Sequence, residues 1–255
     1  MTTEGKGRSE RATILDRWGI TADYLTDVID ENPSLRGMIV GYLAERKLWD
    51  LFETVRGVSG LRKDDDHDRE KKGDLVLTYK GNEIRLEVKS LQTNHVKILG
   101  SSSGAGQTNA WVPMIQRIKA GTSKSGRPKY RYVQNPEIAQ LTHEERKRAK
   151  YMGAVQCDAS DRRSVKLSSG RSIETTCLLV GEFHILAAGL FSFREEWDFG
   201  FALNEDLPRS TNYTSEVNRE LLATLIPVTW PLTEPFSADP VPLLDRIVDQ
   251  QRKKP

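Results

Sequence analysis

Apolar positions fall into two unlike patterns along this chain. Between Thr175 and Phe193 the run TTCLLVGEFHILAAGLFSF is almost wholly apolar. That is the pattern of strands buried on both faces, and Gly181 divides it into two. Trp197, Phe199 and Phe201 then alternate, which predicts a further strand. Upstream the period lengthens. Leu35, Met38, Ile39, Tyr42, Leu43, Trp49 and Phe52 recur at three- and four-residue steps behind Asn32-Pro33. This predicts one helical face with a capped, proline-led start.

Residues 13–31 predict one or two short helices, and SEVNRELLATL and LLDRIVDQQRK two more near the end. Residues 1–12 read as a disordered tail, GVSGLRKDDDHDREKKG as a charged loop and GSSSGAGQTN as a flexible one. The stretch Trp111–Lys150 reads as basic loop and short helix, with Thr142 and Glu145 in capping-box spacing. QCDASDRRSVKLSSGRSIE reads as a region where the chain turns. Strands and helices interleave without an internal repeat, so the expected class is α/β or α+β.

Residues 74–89 alternate as a hairpin. With Gly81-Asn82 in a type II′ turn, Tyr79 faces Ile84, Leu77 faces Leu86 and Leu75 faces Val88. These six side chains share a side that packs on a core. The other side carries Asp74, Val76, Thr78, Arg85, Glu87 and Lys89. In that register Asp74 lies across from Lys89 and diagonal to Glu87, with Cβ separations of ~5 Å and ~7–8 Å. Both carboxylates then come within reach of one divalent cation, the Val88 carbonyl offers a further oxygen, and Lys89 can orient the attacking water or stabilise developing charge. The plainer alternative is an exposed ion pair of Asp74 and Lys89 beside a solvated Glu87. Glu45, seven residues after Met38 and four before Trp49, falls within the helical apolar stripe. There a carboxylate needs a cation or a metal close by; the alternative is a stripe-edge Glu45 held by Arg46 or Lys47.

Composition narrows the classes. The chain has 255 residues, 37% hydrophobic and 29% charged, the balance of an ordinary soluble protein. No window approaches the ~18 apolar residues of a membrane span, and the N-terminus lacks an apolar signal region, so the expected location is cytoplasmic. Two cysteines, Cys157 and Cys177, exclude a disulfide framework, and four histidines without close pairing exclude a zinc-hydrolase motif. Net charge is only +2, but Ile115–Lys150 holds ten Lys/Arg against three acids. Such asymmetry points to a polyanionic partner.

A helix with an inward Glu45, then Gly73-Asp74 opening a strand, then LEVKS closing the next, resembles the PD-(D/E)XK nuclease superfamily, which includes the type II restriction endonucleases. The motif-bearing likeness covers residues 34–92; a looser one extends through QCDASDRR and CLLVGEFHILAAGLF. It implies a restriction-endonuclease-like core, a central mixed β-sheet flanked by helices, within a single domain over residues 1–255. Residues 34–99 would be the catalytic helix and hairpin, 111–172 a basic DNA-contacting insertion, and 173–255 core strands and C-terminal helices. Asp74 matches the family's first aspartate, Glu87 the second acid, Lys89 the catalytic lysine and Glu45 the helix glutamate; Gly73 stands where most members have proline. The implied cofactor is Mg²⁺, with Mn²⁺ as a substitute, held by Asp74, Glu87 and the Val88 carbonyl. The implied activity is cleavage of double-stranded DNA at a short sequence, by a homodimer, as in restriction-modification. A repair, recombination or mobile-element nuclease, or a non-catalytic DNA-binding module, are the alternatives.

Beside such a site, Arg127, Lys129, Arg131, Arg162 and Arg163 are the expected DNA contacts, with Tyr130 and Tyr132 interleaved for stacking. Three further patterns are set aside. Gly100–Gly104 matches G-x-S-x-G but has no helix behind it. GTSKSGRP lacks the Lys-Ser of a phosphate loop. Asp64, Asp66 and Asp68 alternate like a calcium loop, but Arg69 and Leu75 occupy its glycine and glutamate slots. His184 reads as a hydrogen-bonded core histidine.

Overall fold

The computed structural model describes residues 12–63, 73–99, 110–122, 126 and 128–253. Residues 1–11 of the expected tail at 1–12, the acidic loop at 64–72, the whole Ser/Gly loop at 100–109 and Arg127 lie outside the described residues. The chain divides into two compact units, residues 1–42 and 43–255.

The first unit holds α1 (Ile14–Trp18), α2 (Ala22–Glu31) and the start of α3 (Pro33–Thr54). Thr13 caps α1 in a capping box with Asp16, and Gly19 ends it in the left-handed conformation. The second unit continues α3 and adds β1 (Val58–Arg62), β2 (Leu75–Tyr79), β3 (Asn82–Ser90), β4 (Lys97–Leu99), β5 (Trp111–Pro113), β6 (Ile115–Thr122) and β7 (Pro128–Gln134). After α4 (Pro136–Ala139) and α5 (His143–Arg148) come β8 (Tyr151–Gln156), β9 (Asp158–Lys166), β10 (Ser172–Cys177) and β11 (Ile185–Gly189). The chain closes with α6 (Phe191–Arg194), β12 (Phe199–Leu203), α7 (Ser215–Glu220), β13 (Leu225–Trp230) and α8 (Val241–Arg252). No helix among the described residues is long and apolar enough to cross a membrane.

The central sheet has the order β1-β2-β3-β11-β12 and is mixed: β3 and β11 are parallel, the other neighbours antiparallel. Its two faces meet different layers. Leu75, Leu77, Tyr79, Ile84, Leu86 and Val88 pack with Ala44, Leu48 and Phe52 of α3 and Leu244, Ile247 and Val248 of α8. On the other face Leu186, Ala188 and Ala202 join Ile98, Tyr151, Val155, Ile226 and Val228 of a second sheet, ordered β13-β8-β4-β5. Burial on both faces explains the unbroken apolar run around β11. The α3 stripe is less complete than its period predicts. Ala44, Leu48 and Phe52 are its buried residues, whereas Met38, Tyr42 and Leu43 are exposed.

The hairpin turn falls one residue earlier than expected. Lys80 and Gly81 are its central residues, with φ of 49° and 82°, so it is type I′. Pairing is therefore Leu75↔Leu86, Leu77↔Ile84 and Tyr79↔Asn82. Lys80 is an unusual residue for left-handed φ, but its Nζ reaches Asp245 Oδ1 at 2.6 Å, and the Tyr79 hydroxyl donates to the same oxygen at 2.9 Å. A contact to α8 thus fixes a turn that local sequence assigns elsewhere. Pairing slides by two, so every side chain keeps its face. Adding a Cβ at Gly81 meets no neighbour, yet its backbone is left-handed. Gly81→Ala is expected to cost about 1–2 kcal/mol through backbone strain alone, read as a lower urea midpoint with unchanged m-value.

Candidate active site

Gly73 delivers Asp74 to the end of the hairpin. Its φ is 97°, and a Cβ there would sit 3.0 Å from the Leu86 carbonyl oxygen, so the chain crosses β3 where only glycine fits. The β2–β3 ladder ends at Leu75↔Leu86. Beyond it a side chain replaces the backbone: the Val88 N–H donates to Asp74 Oδ2 at 2.7 Å. In a strand the N–H and C=O of one residue point to the same edge, so the Val88 carbonyl is turned towards Asp74 as well.

Glu87 and Lys89 alternate with the core residues Leu86 and Val88, so they project from the opposite face of the sheet. There β11 sets Leu186 beside Glu87 and the small Ala188 beside Lys89. Lys89 Nζ lies 2.7 Å from Glu87 Oε1, and the two side chains are only 24% and 12% exposed. This pair is largely withdrawn from water, which the exposed ion-pair alternative does not describe.

Electrostatics follow from that burial. Desolvation pushes the Glu87 carboxyl up; Lys89 pulls it down, and Asp74 and Glu182 push it up again, leaving it at about 7. Burial pulls the Lys89 ammonium down, but the charges of Glu87 and Asp74 outweigh it and hold its pKa above the usual value. Lys89 is therefore a fixed cation at neutral pH, suited to holding an oxygen rather than accepting a proton. Cys157, at the end of β8, senses the same charges. Burial and the nearby Glu87 push its thiol up to about 12, so it remains protonated and unreactive.

One residue in this neighbourhood is not assigned to it by sequence reasoning. Glu182 acts on the Glu87 carboxyl and forms a two-pronged ion pair with Arg163, Nη1 to Oε1 at 2.6 Å and Nη2 to Oε2 at 2.5 Å. It also accepts the Leu179 N–H at 2.8 Å. The signal was present: Glu182 is a single acid within an apolar run, and such a group needs a partner. Arg163, expected at the DNA, is committed to Glu182 and the Cys177 carbonyl.

The other expected residues are spread more widely. Ala44 packs at the Ser90 end of β3, beside Gly189, so Glu45 emerges near that end. Its carboxylate is bonded to Lys63 Nζ at 2.6 Å. Arg162 is exposed on β9, Lys129 and Arg131 lie on β7, and Arg127 is outside the described residues. His184 Nδ1 accepts the Arg85 N–H at 3.0 Å, a structural role within the sheet.

Among the described residues no three His, Cys, Asp or Glu side chains converge as a closed metal cage. The donor set is instead two carboxylates and a backbone carbonyl, with one buried ammonium. This leaves an excess of negative charge where burial already disfavours it. Magnesium suits such a set, because it is held by one or two carboxylates and completes its shell with water and substrate phosphate. The comparisons return no match: no family model, no curated protein and no solved structure resembles this chain closely enough to align.

The Glu87 carboxyl predicts a pH dependence. Its folded pKa is raised above the unfolded value, so its contribution is fully present below the ordinary carboxylate range and is lost as pH rises through about 7. The melting temperature of the metal-free protein is expected to fall between pH 5.5 and pH 8.5, read by calorimetry in EDTA. Glu87→Gln is expected to flatten that slope; an unchanged slope would assign it to other groups.

Proposed function

We propose that this chain is a Mg²⁺-dependent endonuclease of the PD-(D/E)XK type that hydrolyses phosphodiester bonds in duplex DNA. The observation that carries the reading is the meeting of Asp74, Glu87, Lys89 and the Val88 backbone at the end of one hairpin. The order of elements supports it: a helix, an antiparallel hairpin, then a strand parallel to the second hairpin strand, with helices on one face.

Asp74 and Glu87 would hold the metal, and the Val88 carbonyl would add a neutral oxygen. When bound, Mg²⁺ would polarise the phosphodiester and lower the pKa of a water molecule. Lys89 stays protonated and positions oxygen, either that of the attacking water or a non-bridging phosphate oxygen. Asp74 also holds the Val88 amide, which fixes the distance between the two strand ends. A restriction role implies a two-fold homodimer, because a palindromic target presents two equivalent strands.

A second reading is favoured by the 2.7 Å Lys89–Glu87 contact, which satisfies both groups without a metal. Under it the chain is a DNA-binding module whose charged cluster is structural. Incubation of the purified chain with supercoiled plasmid separates the two. Discrete linear fragments in Mg²⁺ and none in EDTA support the nuclease. Gel-shift binding without any cutting, in Mg²⁺ or Mn²⁺, supports the module.

A further inference from the structure

Among the described residues the two-stranded sheet of β6 and β7 joins neither larger sheet. Its register runs from Ile115↔Gln134 to Thr122↔Pro128, with a bulge between Lys119 and Gly121. An isolated ribbon of this kind is marginal in water, and two open edges invite aggregation. Its root is nevertheless firmly tied. The Met114 N–H donates to the Val96 carbonyl and the Asn135 N–H to the Met114 carbonyl, both at 2.9 Å. The Asn135 amide, buried at 2% exposure, donates to the Pro113 carbonyl at 3.1 Å. Val96 follows directly on the 3₁₀ turn Thr93–His95, which begins four residues after Lys89. The ribbon is thus a fixed arm rooted just beyond the strand that carries the site.

Its chemistry is one-signed. From Ile115 to Gln134 the sequence has no acid, and the paired strands carry Arg117, Lys119, Lys129 and Arg131. The register puts cation-bearing positions on both sides of the ribbon. Arg117 and Lys119 share one side, opposite Tyr132 and Tyr130 in the register; positions 129 and 131 belong to the other. Charge that only protects an edge can be of either sign, whereas a patch lying on a flat surface needs one face. Basic positions on two faces suit an element inserted between two rows of phosphates. On β6, Gln116, Arg117 and Lys119 to Thr122 are exposed.

We infer that the β6–β7 ribbon enters the major groove of duplex DNA and is the arm by which the chain engages its substrate. The inference rests on the nuclease reading for the identity of the polyanion. The dimensions agree. Paired strands ~4.8 Å apart, widened by side chains, fit a groove ~12 Å wide that admits a two-stranded ribbon. Seven residues at ~3.3 Å reach ~23 Å, about seven base-pair steps. The deep, narrow major groove of duplex RNA does not accept such an arm.

The test measures binding in EDTA, so it does not depend on cutting. Fluorescence anisotropy with a labelled 40-base-pair duplex would compare the full chain with Lys119→Gln/Lys129→Gln/Arg131→Gln. A control variant, Lys166→Gln/Arg171→Gln/Arg219→Gln, removes equal charge elsewhere. The ribbon variant is expected to bind at least ~10-fold more weakly, with the slope of log K against log salt reduced by ~2.7, near 0.9 for each lost phosphate contact. The control is expected to change neither by as much, and a major-groove ligand such as methyl green should displace the chain more readily than netropsin. Both variants must melt within a few degrees of the wild type; if the triple ribbon variant does not, Lys119→Gln alone is expected to lower the slope by ~0.9. Equal losses in ribbon and control variants, displacement by netropsin alone, or tighter binding to duplex RNA would overturn the inference. Ribbon-dependent binding without Mg²⁺-dependent cutting would sink the nuclease reading and leave the arm. Cutting that survives loss of the ribbon would do the reverse.

Discussion

Asp74→Asn is expected to abolish Mg²⁺-dependent plasmid cleavage while leaving the fold intact. The two functions of Asp74 are separable. Its Oδ2 accepts the Val88 N–H, which is structural, and its charge is one of two that would hold the metal. Asparagine keeps an acceptor oxygen at nearly the same place but carries no charge, so the melting temperature should move little. Activity should fall at least ~100-fold, the scale of losing one preorganised charge-stabilising group. Asp74→Ala removes both roles. It leaves the Val88 amide without its partner, at a cost of about 1–3 kcal/mol, so it should lose activity and stability together. Lys89→Met tests the third member: the Glu87 carboxyl loses the charge that holds its pKa down, and its protonated form gains. Cutting should be lost at neutral pH and should not be rescued by raising Mg²⁺ alone. Should Asp74→Asn cleave at the wild-type rate under identical metal concentration, the cutting does not run through Asp74 and the site assignment falls, whereas absence of cutting by the wild type itself would leave the module reading.

How much of this was legible beforehand depended on whether the signal was local. Strand alternation gave the hairpin faces correctly, because the polar–apolar period of two survives any even slip in register. The turn itself was misplaced, since Lys80 is held in left-handed φ by Asp245, 165 residues away in sequence. That shift changed the geometry of the acids: Asp74 meets the Val88 amide instead of lying across from Lys89. The basic segment reads as loop because β6 buries little on either side, so it lacks the alternation that marks a half-buried strand. Strands β8, β9 and β10 were missed for a related reason. In β9 polar residues such as Asp161 and Arg162 interrupt the apolar pattern, and β8 finds its partners β13 and β4 far away in sequence. The α3 stripe was over-read, because period alone does not say which turns find a partner; burial begins only at Ala44. Glu182 was legible as a charge out of place but not as a neighbour of Glu87, which required the pairing of β11 with β3.

Glu182→Ala is expected to be the most destabilising single substitution near the site. The carboxylate is 8% exposed and the Arg163 side chain 22%, so both charges are largely withdrawn from water and depend on one another. Arg163 Nε already lacks a partner, and Leu179 would lose the acceptor for its amide. Removing one member of a buried pair strands the other, at about 3–5 kcal/mol. For a domain of this size that corresponds to a melting temperature lower by roughly 6–20 °C. Removing both charges, as in Arg163→Met/Glu182→Leu, should recover much of the loss, since the stranded charge and not the missing pair dominates the penalty. A second readout distinguishes structure from chemistry. Glu182 helps to push the Glu87 carboxyl up, so in the more conservative Glu182→Gln that carboxyl should ionise at lower pH. The acid limb of the cleavage profile should then move to lower pH, while the substitution of Arg163, by freeing the Glu182 charge, should move it the opposite way. Loss of stability with no movement of the acid limb in either variant would make the pair a strut of the sheet and nothing more.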